Sequence, residues 1–290
     1  MSFQIVYNGL TIDNKQGIII ESMSGLSNIE VRTSEDYLTG TDGGAIWEQY
    51  YGMRNISITG SIIAETIEDY FTRKSELATA FSKKNQDVNL FITTWNGSTR
   101  RIPARVVQMP DITEYSGETT MARFLISLRC PSPFFTDETS TTATITMSDV
   151  GGYPVGQWDI EEDEFTVGTG MPVASPIPYT ADSIDINNTG DISTNPVYEI
   201  VGPVTNPSVR NTTTNKLFTI NTALATGEKI TVQLINNVLD ARKNGVNVIS
   251  SFTGDFPILQ PGVNTLRFTA STFQVGAKVD VTYFRNYLSL

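Results

Sequence analysis

Phe124-Leu-Ile-Ser-Leu-Arg-Cys-Pro-Ser-Pro-Phe-Phe135 is the stretch on which the reading turns. Ala122 to Cys130 reads as a strand, and Pro131-x-Pro133 stops it, because proline offers no N–H to a β-ladder. The pattern changes at this point. Before it, strands surround one helix. After it come short strands and turns only.

Upstream, Phe3-Gln-Ile-Val-Tyr7 alternates and Asn8-Gly9 is a hairpin turn signal. Ile18–Ile20 and Glu30–Thr33 are further candidate strands, and Asp42-Gly43-Gly44 is a turn. Asn55 to Ile63 alternates most clearly. A helix follows: Thr66 and Asp69 have capping-box spacing, and Ile67, Tyr70, Phe71, Leu77, Ala78 and Phe81 form one apolar stripe. Asp69 and Arg73 are spaced to pair, and Lys83-Lys84-Asn85 is the expected end. Val88–Trp95, the turn Asn96-Gly97 and Arg100–Val107 then make a long hairpin, the element expected to reach a neighbouring subunit.

Downstream, residues 136–182 read as a linker running into irregular, strand-poor structure, with Gly151-Gly152, Pro154, Pro172, Pro176 and Pro178. From Ser183 to Tyr283, short strands separated by Gly, Asn and Pro turns predict a β-sandwich. The predicted domains are therefore 1–135, a linker at 136–182, and 183–290.

Composition narrows function. The chain of 290 residues has no histidine, which removes the commonest general base and metal ligand. Its one cysteine, Cys130, allows no intrachain disulfide and reads as a buried apolar side chain. Net charge is −11; residues 1–135 carry 12 bases against 15 acids and the remainder 8 against 16, so nucleic-acid binding is disfavoured. No apolar run is long enough to span a membrane, and Met1–Tyr7 reads as the start of a strand and not as a signal peptide. No catalytic, cofactor-binding or metal-binding residue is assigned. Asp159, Glu161, Glu162, Asp163 and Glu164 have oxygen ligands suited to calcium but lack the glycine and distal glutamate of an EF-hand loop, and a solvated acidic loop is the simpler reading. Trp47, Tyr50 and Tyr51 are balanced between core packing and an interface. Arg54 is read either as capping a loop or as pairing across a subunit boundary.

Several pieces, in this order, resemble the distal tail protein family of long-tailed bacteriophages. In the first part they are Asp42-Gly43, Tyr51-Gly52-x-Arg54-x-Ile56-x-Ile58-x-Gly60, Arg101-Ile-Pro-Ala-Arg105, and Phe124-x-x-x-Leu128 running into Pro131-x-Pro133. In the second they are Asn188-x-Gly190-Asp191, Pro196, Ile200-x-Gly202-Pro203, Asn206-Pro207, Asn211-x-Thr213-Thr214, Gly227-Glu228, Asn244-Gly245-x-Asn247 and Leu259-x-Pro261-Gly262-x-Asn264. The resemblance implies a mainly β chain: a β-rich N-terminal domain with one helix and a hairpin, then a galectin-like β-sandwich. It implies a non-enzymatic virion protein without cofactors, made in the host cytoplasm and placed at the tail tip. There a hexameric ring would join the tail tube to the adsorption apparatus. The implied partners are other copies of the chain, the tail-tube protein, a tail-associated hub or lysin, and receptor-binding proteins or tail fibres. The alternative is a carbohydrate-binding adhesion module.

Overall fold

Every second residue from Arg54 to Ile62 is buried, as is every second residue from Ala122 to Cys130. The two strands pair antiparallel along their whole length, Arg54 opposite Cys130 and Ile63 opposite Met121. They belong to the main sheet of the first of two compact units in this computed structural model. The described residues are 3–147 and 183–290, apart from Gln16, Leu38, Thr41, Lys84, Ser116, Glu118 and Val275. One unit is Met1–Thr139 with Arg285–Leu290, the other Ser140–Phe284.

The strands of the first unit are β1 (Gln4–Tyr7), β2 (Leu10–Ile12), β3 (Ile18–Ser24), β4 (Val31–Tyr37), β5 (Gly44–Tyr51), β6 (Arg54–Ile63), β7 (Val88–Thr93), β8 (Thr99–Glu114), β9 (Met121–Cys130) and β10 (Phe135–Asp137), with helix α1 (Ile67–Ala80) between β6 and β7. Nine strands make one sheet in the order β2-β1-β7-β8-β9-β6-β3, with β10 pairing β8 and the returning strand Asn286–Tyr287. The first part of β8 pairs β7 and the second pairs β9, with register shifts between Val106 and Gln108 and between Gln108 and Asp111. Such bulges bend a strand and let one ladder serve two neighbours. Gly60 is required on β6: a Cβ there would lie 2.1 Å from the Ile19 carbonyl oxygen and 2.5 Å from Cζ of Phe124.

Helix α1 starts as its sequence predicts, with Thr66 Oγ1 accepting from the Asp69 N–H at 3.1 Å. It buries Tyr70, Leu77 and Ala80, and its C-cap Phe81 stacks on Tyr7 with ring centroids 4.7 Å apart. The expected stripe is narrower than predicted. Ile67 and Phe71 are 53% and 58% exposed, one row away from the face that meets the sheet. The helix also ends before Lys83, because Phe81 leaves helical geometry to enter the core. Arg73 donates to the Ile63 carbonyl instead of pairing with Asp69.

In the second unit, one sheet has the order 141–146, 278–283, 197–201, 229–235, 238–243, 246–247, a second 183–188, 262–269, 208–211, 216–220, 252–254, and a small third 223–224, 204–205, 272–273. Ile200, Val232 and Val281 of the first and Val209, Phe218 and Phe268 of the second share one buried core, so the sheets pack as a sandwich. Asn236-Asn237 and Asn244-Gly245 turn with positive φ, as tight hairpin turns require. Three buried asparagines hold the loop before Gly262. Asn188 donates to the Leu259 carbonyl (3.2 Å), Asn211 to that of Ile258 (2.9 Å) and Asn264 to that of Gln260 (2.7 Å).

Two stretches differ from the sequence reading. Thr141–Thr146 falls in the segment read as linker, yet it is a strand paired residue for residue with Tyr283–Lys278. Its β-branched threonines suit a half-exposed edge, with Ile145 turned inward. Arg285–Leu290, read as the end of the second domain, belongs to the first unit.

Candidate assembly surface

β4 and β5 pair only with each other among the described residues. Seven of the eight residues of β5 are exposed, and so is every residue from Val31 to Asp36. Ile46, Trp47 and Tyr50 are 62%, 71% and 58% exposed, and Val31 and Met53 are about half exposed. A two-stranded ribbon alone is marginal in water, and exposed apolar side chains of this kind are a candidate interaction surface. The register shifts between Ser34 and Glu35, adding a residue to β5 at Trp47. The segment 30–51 carries five acids and one base. Tyr50 donates to Glu48, and that hydrogen bond is the main cause raising its phenol pKa.

The root of this arm is tied to neighbouring backbone and side chains. The Gly52 N–H donates to the Glu30 carbonyl at 2.7 Å, and Tyr51 meets Phe134 edge to face at 5.4 Å. Arg54, the first residue of β6 and the third after β5, is 1% exposed. Its guanidinium donates to the carbonyls of Gly25, Leu26, Pro133 and Leu288 and lies over the Phe135 ring. Burial is the main influence on its pKa and lowers it. Arg54 is therefore an internal tie and does not pair with another subunit.

The other sequence candidates separate. Trp47, Tyr50 and Tyr51 come together on β5, which resolves them as surface groups. Cys130 is fully buried, and burial pushes its thiol up to about 12, against the opposing pull of Arg54. Asp159–Glu164 lie outside the described residues. The Val88–Val107 hairpin is built into the main sheet along most of its length. Leu90, Ile92, Ile102 and Ala104 are core residues, and β7 and β8 have strands on both sides. The exposed reach belongs instead to β4–β5, whose second strand shows no alternation that marks it in sequence. Among the described residues no group of three or more His, Cys, Asp or Glu is placed to hold a metal ion. No helix among them is long and apolar enough to cross a membrane.

An arm with apolar side chains exposed along it, a root tied by hydrogen bonds and a mainly β body suits a structural protein built to be assembled. Comparison with known proteins gives the family. Residues 8–130 match the phage tail protein RIFT-related domain, and residues 189–287 the C-terminal domain of a siphovirus-type tail component. The chain belongs to the distal tail protein family of siphovirus-type phages, structural components of the virion tail. Among solved structures, the Dit protein (gp 19.1) of phage SPP1 is similar over 99% of both chains, with 17% identity and a TM-score of 0.66, and has this fold. A chain of the phage p2 baseplate is similar over 100% of this chain and 99% of its own, with 12% identity and a TM-score of 0.47. No curated protein sequence matches the chain.

Proposed function

We propose that the chain is a non-enzymatic ring subunit at the distal end of the tail, and that the β4–β5 arm of each copy lies on the next. The observation that carries this is the arm itself: an isolated ribbon with Ile46, Trp47 and Tyr50 in solvent. A ring needs heterologous contacts, one face of a subunit meeting a different face of its neighbour, and an arm is such a face. The first unit makes the ring, six-fold by family resemblance. The higher negative charge of the second unit favours exposure to solvent. The two units are separable domains joined at Thr139–Ser140 and Phe284–Arg285. The tail tube binds on one side of the ring, and the hub or lysin and the receptor-binding proteins on the other. The proposed hub role is in keeping with the SPP1 relative, described as a paradigm of the hub of adsorption apparatus.

The test is the mass of the full chain in solution across a concentration series, alone and with tail-tube protein as template. Wild type is expected to form a closed oligomer, and Trp47→Ala with Tyr50→Ala to remain monomeric with unchanged melting. A wild-type monomer under both conditions, or a double variant that assembles like wild type, overturns the proposal.

A further inference from the structure

We infer that the returning strand Asn286–Tyr287, acting through Arg54, holds the root of the assembly arm, so that the arm is presented only when that strand is docked. This rests on the reading of β4–β5 as the assembly contact. The polypeptide enters the arm after Gly25-Leu26 and leaves it through Gly52 into Arg54. Arg54 ties both lines: Nη1 donates to the carbonyls of Gly25 and Leu26, each at 2.7 Å. The same guanidinium donates through Nε to Pro133 (2.7 Å) and through Nη2 to Leu288 (2.6 Å), which lies 234 residues further along the chain. Gly25 lies flat against β6: a Cβ on it would sit 1.9 Å from the Asn55 carbonyl oxygen, and its φ is +84°. Among the described residues no carboxylate is a hydrogen-bond partner of this cation; carbonyl dipoles and the Phe135 ring, 4.6 Å away, stand in for one. A buried charge held in this way loses much when one acceptor leaves.

Leu288 is delivered to Arg54 by a dock of its own. Phe135 pairs with Tyr287 and Thr136 with Asn286. Arg100 lies 3.7 Å over the Tyr287 ring and donates to the Ser289 carbonyl. Asp137 accepts from Arg285 Nε at 2.6 Å and from the Tyr287 hydroxyl at 3.1 Å. With this strand undocked, Arg54 keeps its charge but loses an acceptor, and the root it braces loosens. A loose arm must be ordered at the moment of assembly, which weakens association. A nascent chain whose synthesis has reached only the second unit therefore carries a completed but unbraced arm, and premature assembly is disfavoured.

The test uses the full chain and two variants that approach the tie from opposite ends. Arg54→Lys keeps the charge but cannot span the four carbonyls. Tyr287→Ala leaves Arg54 intact and removes the anchor of the returning strand. Hydrogen exchange is read at residues 26–52 and, as the internal reference, at 56–63 and 122–130, together with the solution mass. Both variants are expected to exchange at least about tenfold faster in the arm, the loss of about one charge-assisted hydrogen bond. The reference strands should change by less than about twofold, a selectivity no general loss of stability produces. Assembly should need a correspondingly higher concentration. Equal acceleration in arm and reference strands overturns the inference, as does an unchanged arm in Tyr287→Ala. If Arg54→Lys fails to fold, Tyr287→Ala alone decides. Trp47→Ala separates the two readings. If it assembles like wild type, the arm is not the contact and the gating of assembly falls with it, while exchange still decides the brace. If it abolishes assembly but the two root variants assemble normally, the inference fails and the arm reading stands.

Discussion

Phe81→Ala tests whether the first unit is built around the contact between the end of α1 and β1. Phe81 is fully buried and stacks on Tyr7, with an interplanar angle of 8°. Tyr7 is also 1% exposed, and its hydroxyl donates to the Ala104 carbonyl at 3.3 Å, so it is not free to swing into the space that Phe81 vacates. The cost should lie in the upper part of the range for a core phenylalanine, about 3–5 kcal/mol, since a stacked partner adds about 0.5–1.5 kcal/mol beyond burial. A chain with two units does not melt as one transition, so the probe must report the first unit alone. Cys130 does so: it is the chain's single cysteine, lies in the same core, and is fully buried with its thiol pushed up to about 12. A thiol reagent reaches it when the unit opens, and under fast reclosing the labelling rate follows the opening equilibrium. The rate should rise by roughly 150- to 5,000-fold, at 1.36 kcal/mol per decade. Phe218→Ala, in the core of the second unit, should leave it unchanged. An increase below about fivefold, or the same increase in both variants, would refute the reasoning.

Two further outcomes concern the second unit. A fragment spanning 140–284 should be soluble and melt cooperatively, whereas one starting at 183 should be less stable by circular dichroism melting. The shorter fragment loses the Thr141–Thr146 ladder together with buried Ile145 and Met147, and equal stability would show that edge to be dispensable. Burial works against ionisation of Asp280, but hydrogen bonds from Lys278 and Thr144 outweigh it and lower the pKa. A lowered carboxyl pKa stabilises the fold above the unfolded value of about 3.9 and ceases to do so as pH falls through the folded one. The melting difference between wild type and Asp280→Asn should therefore be present at pH 7 and shrink below about pH 4, and a difference independent of pH would place its origin elsewhere.

The body of the first unit was legible because burial imposes a period. β6 and β9 alternate in sequence because one of their faces is in the core, and Leu77 and Phe81 recur at helical spacing because one side of α1 is. The arm was not legible for the converse reason. Ala45-Ile-Trp-Glu-Gln-Tyr-Tyr51 is exposed almost throughout, so no core selects every second residue. Its aromatics registered as a group without a strand to carry them. The Val88–Val107 hairpin has the length and turn of a protruding element, and only its pairing on both sides shows that it is interior. Arg54 stood out beside Gly52, but its four acceptors are backbone carbonyls, which leave no trace in a sequence. Asn188, Asn211 and Asn264 were visible as motif residues, and the structure supplies their reason: each holds a carbonyl of the 258–260 turn.

The pairing of Thr136 with Asn286 carries a consequence of its own. The polypeptide departs from the first unit on one strand and comes back on the strand beside it, running the opposite way. Between Asp137 and Arg285 the gap is one that a two-residue hairpin turn can close. Everything spliced between those points is, for the first unit, an ornament on a hairpin loop. No ladder of the host sheet uses a strand of the second sandwich, so excising it, or exchanging it for a module whose own ends lie side by side, is expected to leave those ladders intact. A chain that must keep the frame of its first unit has in this junction a place where novelty can be inserted at little cost to that frame.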